Sequence, residues 1–165
     1  MYVSRKKLHM SDAEIEDFLR VNIWGRLATA NLAADPHVTP IGYVYWIGAV
    51  FFYSLRQSRR GRDLAENAKA ALVIDDGLGP GEDYTKRRGV VLHGRCNALD
   101  DDDPILVEVR REFMRATGAG GTDEVQRKTH VWYRLEIERR VSWDFRKIPS
   151  GVDRAVDRLA PANIK

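Results

Sequence analysis

A single cysteine, Cys96, among 165 residues excludes an intrachain disulfide and any cysteine-rich zinc site. The four histidines, His9, His37, His93 and His130, fall at no metal-ligand spacing, and neither H-E-x-x-H nor C-x-x-C occurs. Each is read as a solvated or hydrogen-bonded residue, and no metal is expected. A serine hydrolase has no G-x-S-x-G elbow to stand on, and the usual nucleotide folds lack their Walker A loop or G-x-G-x-x-G turn. No apolar run approaches the length of a membrane span. The opening MYVSRKKLHM is basic with no apolar segment behind it, so a cytoplasmic protein without an export signal is expected. Internal repeats and low-complexity tracts are also missing.

What is present describes one globular domain: 44% hydrophobic residues, 31% charged residues and a formal net charge of +3. The charge is unevenly placed. Residues 50–55 read as a strand, 59–67 as an amphipathic helix and 70–75 as a second strand. From the end of the first strand into the first turn of the helix, Arg56, Arg59, Arg60 and Arg62 follow one another with no acid until Asp63. A helix N-terminus already carries partial positive charge and unpaired N–H groups, so stability alone would favour Asp or Glu there. One resolution is an external anion such as a phosphate, held by free N–H groups, the Ser58 hydroxyl at the N-cap and two or three guanidinium groups. The other is a solvated basic surface with Ser58 as an ordinary cap.

Along the rest of the chain, residues 1–10 read as a flexible basic arm. Ser11 and Glu14 form an S-x-x-E capping box, with Met10 and Ile15 as the hydrophobic staple, opening a helix whose buried face is Ile15, Phe18 and Leu19. Strands follow near 26–32, 37–46 and 50–55. Thr39, Pro40 and Gly42 interrupt the second, which places it at a sheet edge, beside a ligand or another chain, or at a bulge. After a turn-rich loop ending in Lys86, Arg87 and Arg88, residues 89–99 form another strand with Cys96 on its apolar face. Asp100 to Pro104 start a helix with Ile105, Leu106, Val109, Phe113 and Met114 facing the core and a stop near Gly118. The acid run needs no metal to explain it. Residues 130–138 form a strand with Val131, Tyr133, Leu135 and Ile137 facing in and Trp132, Arg134, Glu136 and Glu138 facing out or towards a partner. A turn at Arg139-Arg140 leads to a last strand over 141–145, and residues 148–165 read as a surface tail.

A small β-rich domain with a phosphate-ready turn and no evident acid, base or nucleophile suits a protein that holds a phosphorylated cofactor. A basic barrel binding nucleic acid through arginines and aromatics is the rival on these residues. The order Tyr53-Ser54, the gap Leu55-Arg56-Gln57, Ser58-Arg59-Arg60 and then Glu66-Asn67 before an apolar strand resembles the FMN-binding split-barrel family. That group includes pyridoxamine 5′-phosphate oxidase-like and flavin- or deazaflavin-dependent oxidoreductases. The resemblance runs over residues 11–147.

It implies a mainly β fold, a six- or seven-stranded antiparallel split β-barrel with flanking α-helices. It also implies a homodimer with cofactor sites at the subunit interface. The cofactor would be FMN, or alternatively coenzyme F420, acting on an unsaturated or quinone-like small molecule. In the family the positions matching Tyr53, Ser54, Ser58, Arg59 and Arg60 bind the cofactor, and those matching Thr39, Pro40 and Ile41 approach its ring. Trp143 is the candidate to pack near the ring from the other subunit, with a core or interface tryptophan as the plain alternative. Arg60 replaces a lysine common in the family. The C-terminal arginine and histidine pattern of the true oxidases is missing, so oxidation of pyridoxamine phosphate itself is not expected. A non-catalytic flavin carrier stays open, and nucleic acid and membrane are not the expected partners.

Overall fold

The computed structural model describes residues 5–77, 79, 83–118 and 128–148. Seven strands occupy Trp24–Ala30 (β1), Pro36–Gly42 (β2), Val44–Trp46 (β3), Ala49–Leu55 (β4), Lys69–Asp76 (β5), Arg88–Leu99 (β6) and His130–Asp144 (β7). They form one antiparallel sheet in the order β2-β1-β5-β6-β7-β4-β3. Among the described residues the α-helices that accompany it are Asp12–Val21 (α1), Arg59–Glu66 (α2) and Ile105–Thr117 (α3).

Strand order and chain order together require the sheet to curl. Laid flat, the outermost strands would lie about 29 Å apart, at about 4.8 Å per strand spacing. Yet β2 ends at Gly42 and β3 begins at Val44, so only Tyr43 separates the two edges. Two residues span at most about 7 Å. The sheet is therefore rolled into a barrel whose two edges meet without a continuous ladder, the expected mainly β split barrel with seven strands. Tyr43 pins the corner, its N–H bonding Ile23 O at 3.0 Å and its buried hydroxyl bonding Leu19 O at 3.1 Å. This corner divides what the sequence pattern presents as one strand over 37–46. Of the alternatives open for the interrupted strand, the sheet order gives the edge for β2.

The barrel interior holds Leu27, Ile41, Phe52, Leu72, Ile74, Val90, Leu92, Cys96, Tyr133 and Leu135. α1 closes the end near Ser142 with Ile15, Phe18 and Leu19, and the expected capping box is formed. Part of the expected basic arm is docked rather than free at this end. Residues 5–8 form a short 3-10 turn, and Met10 is buried with its N–H donated to Ser142 Oγ at 3.0 Å. α2 closes the opposite end, contributing Leu64 to the same core.

Two strand expectations are corrected. β7 runs unbroken through Arg139-Arg140, because β6 pairs with it along its whole length. The irregularity is a bulge: Gly94 faces Ile137 and His93 faces Arg139, leaving Glu138 as the extra residue. A Cβ at Gly94 would collide with the Glu136 carbonyl, so glycine permits the close crossing. Trp132, expected to face out or towards a partner, is 8% exposed within the chain itself. α3 lies over that face, where Leu106, Val109 and Phe113 pack on Phe51 and Trp132. Residues 149–165, the rest of the expected tail, lie outside the described residues.

Candidate functional site

The short β3 pairs only with Ala49–Phe51, so residues 52–55 of β4 have a strand neighbour on the β7 side alone. Across the seam lies β2, paired only with β1. Among the described residues no ladder joins these two edges, and the Arg60 side chain crosses between them. Its Nε donates to Ser54 Oγ at 3.0 Å and its Nη1 reaches Thr39 Oγ1 at 3.4 Å.

The helix that carries Arg60 starts as its residues dictate. Ser58 is the N-cap, accepting from Gly61 N–H at 3.0 Å and donating to Leu55 O at 2.8 Å. Its hydroxyl also meets Ser54 Oγ at 3.1 Å. Gly61 is required by contact, since a Cβ there would lie 2.6 Å from Arg56 O. This lets the first turn of α2 press onto the loop that precedes it. The first turn has no acid, and the N–H groups of Arg59 and Arg60 carry no partner among the described residues.

The four arginines divide by what holds them. Arg62 bonds Gln57 O at 2.5 Å, and Arg59 donates its Nε to Asp63 Oδ1 at 3.0 Å. Arg56 is exposed and makes no side-chain hydrogen bond or ion pair among the described residues. Arg60 is half-buried and has no carboxylate within ion-pair distance among them. Burial pulls its pKa down, and Tyr133 opposes this only in part. A desolvated cation without a counter-charge is costly, and a bound anion removes that cost.

Of the residues expected at a site, Thr39, Ser54, Ser58 and Arg60 come together, and Arg59 adjoins them on the helix. Pro40 is exposed on the β2 edge, while Ile41 is 3% exposed and fills the barrel, leaving only its backbone for a ligand. Tyr53 points to the other face of β4, ringed by Phe113, His130 and Trp132 at centroid distances of 5.2–5.3 Å. Trp143 is far off within the chain. Ser54 pairs with Val131 at one end of β7, and Trp143 lies near the other, against Gly89. About 3.3 Å per residue separates those positions by some 40 Å of strand.

Three residues of this end stand outside the expected site: Thr29, Asp63 and Tyr133. Asp63 is 2% exposed, its second oxygen accepting from the buried Thr29 hydroxyl at 2.8 Å. Tyr133, read only as core, has its phenol pushed up by burial, with the Cys96 thiol adding to the rise and Arg56 and Arg60 pulling it back. The i,i+4 spacing of Arg59 and Asp63 was visible; the contact of Asp63 with β1 was not. Among the described residues no three His, Cys, Asp or Glu side chains gather as a metal site, and no helix is long and apolar enough to cross a membrane.

Burial raises the Asp63 pKa, but bonds from Thr29 and Arg59 and the charges of Arg59 and His37 outweigh it, leaving the net shift downward. A carboxylate depressed on folding stabilises fully above its unfolded value and loses that contribution as pH falls through the folded one. Asp63→Asn should cost about 1.5–3 kcal/mol at neutral pH, the range for hydrogen bonds to charged groups. In urea unfolding the gap to the parent protein should stay level from neutral pH down to about pH 4 and shrink below it. An equal gap at pH 7 and pH 3 would contradict this assignment.

Comparison with known proteins adds the family. A family model described as pyridoxamine 5′-phosphate oxidase matches residues 11–144. A 5a,11a-dehydrotetracycline/5a,11a-dehydrooxytetracycline reductase of Streptomyces rimosus is 33% identical over 86 residues, covering 50% of this chain and 59% of that protein. The crystal structure of a conserved hypothetical protein from Mycobacterium tuberculosis superposes with a TM-score of 0.72 at 26% identity, over 88% of this chain and 92% of that one. An FAD and heme binding protein from Mycobacterium smegmatis shares the fold, with a TM-score of 0.69 at 18% identity over 95% of this chain and 80% of that one. With the sheet order and the Ser58-Arg59-Arg60 turn already in place, the matched span settles the relationship: the chain belongs to the pyridoxamine 5′-phosphate oxidase family.

Proposed function

We propose that this chain is a flavin-dependent oxidoreductase that holds FMN by its phosphate at the Ser54–Ser58–Arg60 seam. The observation that carries the reading is Arg60, half-buried between two open strand edges with no carboxylate partner among the described residues. Ser54, Ser58, Arg60 and the free N–H groups of Arg59 and Arg60 would hold the phosphate, as helix N-termini with adjoining guanidinium groups do elsewhere. The exposed Pro40 and the β2 backbone around it would face the ring. When bound, the flavin supplies the hydride chemistry, and the protein supplies orientation, dryness and charge. The reductase at 33% identity supports a reduction, and an unsaturated or quinone-like small molecule is the substrate class we assign. Neither pyridoxamine phosphate oxidation nor nucleic-acid binding is part of this reading.

Coenzyme F420 is the second cofactor reading. It is favoured by Arg56, an exposed cation beside the seam that one phosphate does not need and a longer anionic tail would use. Titrating the protein with FMN and with F420 while following the visible spectrum separates the two. Arg60→Ala should weaken FMN binding about 10–100-fold, the loss of one strong charge-assisted contact, with the fold retained by circular dichroism. Unchanged affinity would remove Arg60 from the site.

We also propose a homodimer with Trp143 serving the partner's site, since some 40 Å of strand keeps Trp143 from its own. Sedimentation velocity should give twice the chain mass, and Trp143→Leu should weaken FMN binding without dissociating the dimer. A monomer that binds FMN tightly would defeat this part.

A further inference from the structure

Arg59 and Arg60 are neighbours in sequence, yet both are gripped at the same atom. Arg60 is held at Nε by Ser54 Oγ and Arg59 at Nε by Asp63 Oδ1, each at 3.0 Å. Both grips lie inside the protein, Ser54 and Asp63 being 2% exposed. A guanidinium fixed at Nε loses most of its freedom. Arg59 has neither Nη group bonded among the described residues, and Arg60 has one of its two, Nη1, on Thr39 Oγ1.

Asp63 is not an ordinary helix-surface acid. An i,i+4 ion pair stabilises a helix best with the acid nearer the N-terminus, where the macrodipole favours negative charge. Here the order is reversed, with Arg59 in the first turn and Asp63 four residues on. The carboxylate is also buried, which costs far more than a solvated pair returns. Its second oxygen is taken by Thr29 on β1, itself 4% exposed, which fixes the carboxylate to the sheet as well as to α2. A helix needing only to dock would place an apolar side chain at 63, as it does at Leu64.

We propose that Asp63, anchored by Thr29, is a positioning residue of the anion site: it aims the Arg59 fork, so that Arg59 and Arg60 present two pre-set guanidinium tips to one phosphate group. This rests on the phosphate reading given above. Asp63 touches no ligand and acts through Arg59 alone.

A double-mutant cycle on the full chain tests it, with FMN and riboflavin as probes and affinities read from flavin fluorescence. Arg59→Gln and Asp63→Asn should each weaken FMN binding about tenfold, the loss of one charge-assisted contact. The double variant should be no weaker than Arg59→Gln, because coupled residues are not additive. Riboflavin, which lacks the phosphate, should bind Asp63→Asn as it binds the parent. Thr29→Val, which keeps the carboxylate and loosens its anchor, should give a smaller loss for FMN alone. The inference is overturned if Asp63→Asn binds FMN normally, if the two losses multiply, or if FMN and riboflavin weaken equally. Failure of the parent protein to bind FMN would instead overturn the phosphate reading itself.

Discussion

A positive charge in the seam of a barrel is the constraint on which the rest of this structure turns. The seven-stranded sheet must roll up because its two edge strands are joined through Tyr43, and the roll leaves residues 52–55 of β4 facing β2 with no ladder between them. Arg60 ties the edges through Ser54 and Thr39. The tie leaves a cation half out of water with no carboxylate at ion-pair distance among the described residues, and an anion from outside would resolve that imbalance. The roll of the sheet, set by the Tyr43 corner, leaves the open stretch in which Arg60 sits.

The parts around Arg60 follow from that need. α2 can approach because Gly61 has no Cβ to strike the carbonyl of Arg56, and Ser58 both caps the helix and touches Ser54. Thr29 and Asp63 stitch the helix to β1, while α1 closes the far end of the barrel with a separate set of apolar side chains. Cys96, deep in the interior with its thiol pushed up to about 12 by burial, packs there as a small hydrophobe. The site is therefore supported by elements whose own packing is complete without it, which suits a cofactor held on a rigid frame.

Local signals in the sequence carried far. The capping box at Ser11 and Glu14, the Ser58 cap, the glycine stop at Gly118 and the broken pattern of β2 all describe contacts within a few residues, and the structure contains each of them. What stayed hidden depends on distant pairing. Arg139-Arg140 reads as a turn because two successive cations interrupt the alternation, whereas the strand continues and a bulge at Glu138 absorbs the irregularity. Trp132 looked like an outward residue because nothing in its own segment announces that α3 will cover it. The Thr29–Asp63 bond spans 34 positions, and no spacing rule reaches across that gap.

Membership of the pyridoxamine 5′-phosphate oxidase family and the half-buried Arg60 of the seam both support the proposed reading, a phosphate-bearing flavin held at this site. The central claim is that the phosphate, more than the ring, is what this chain recognises. The direct measurement is the ratio of riboflavin to FMN dissociation constants for the unaltered protein in one buffer. Two charge-assisted contacts to the phosphate predict a ratio of about 100 or more. Equal affinities for the two would contradict the account.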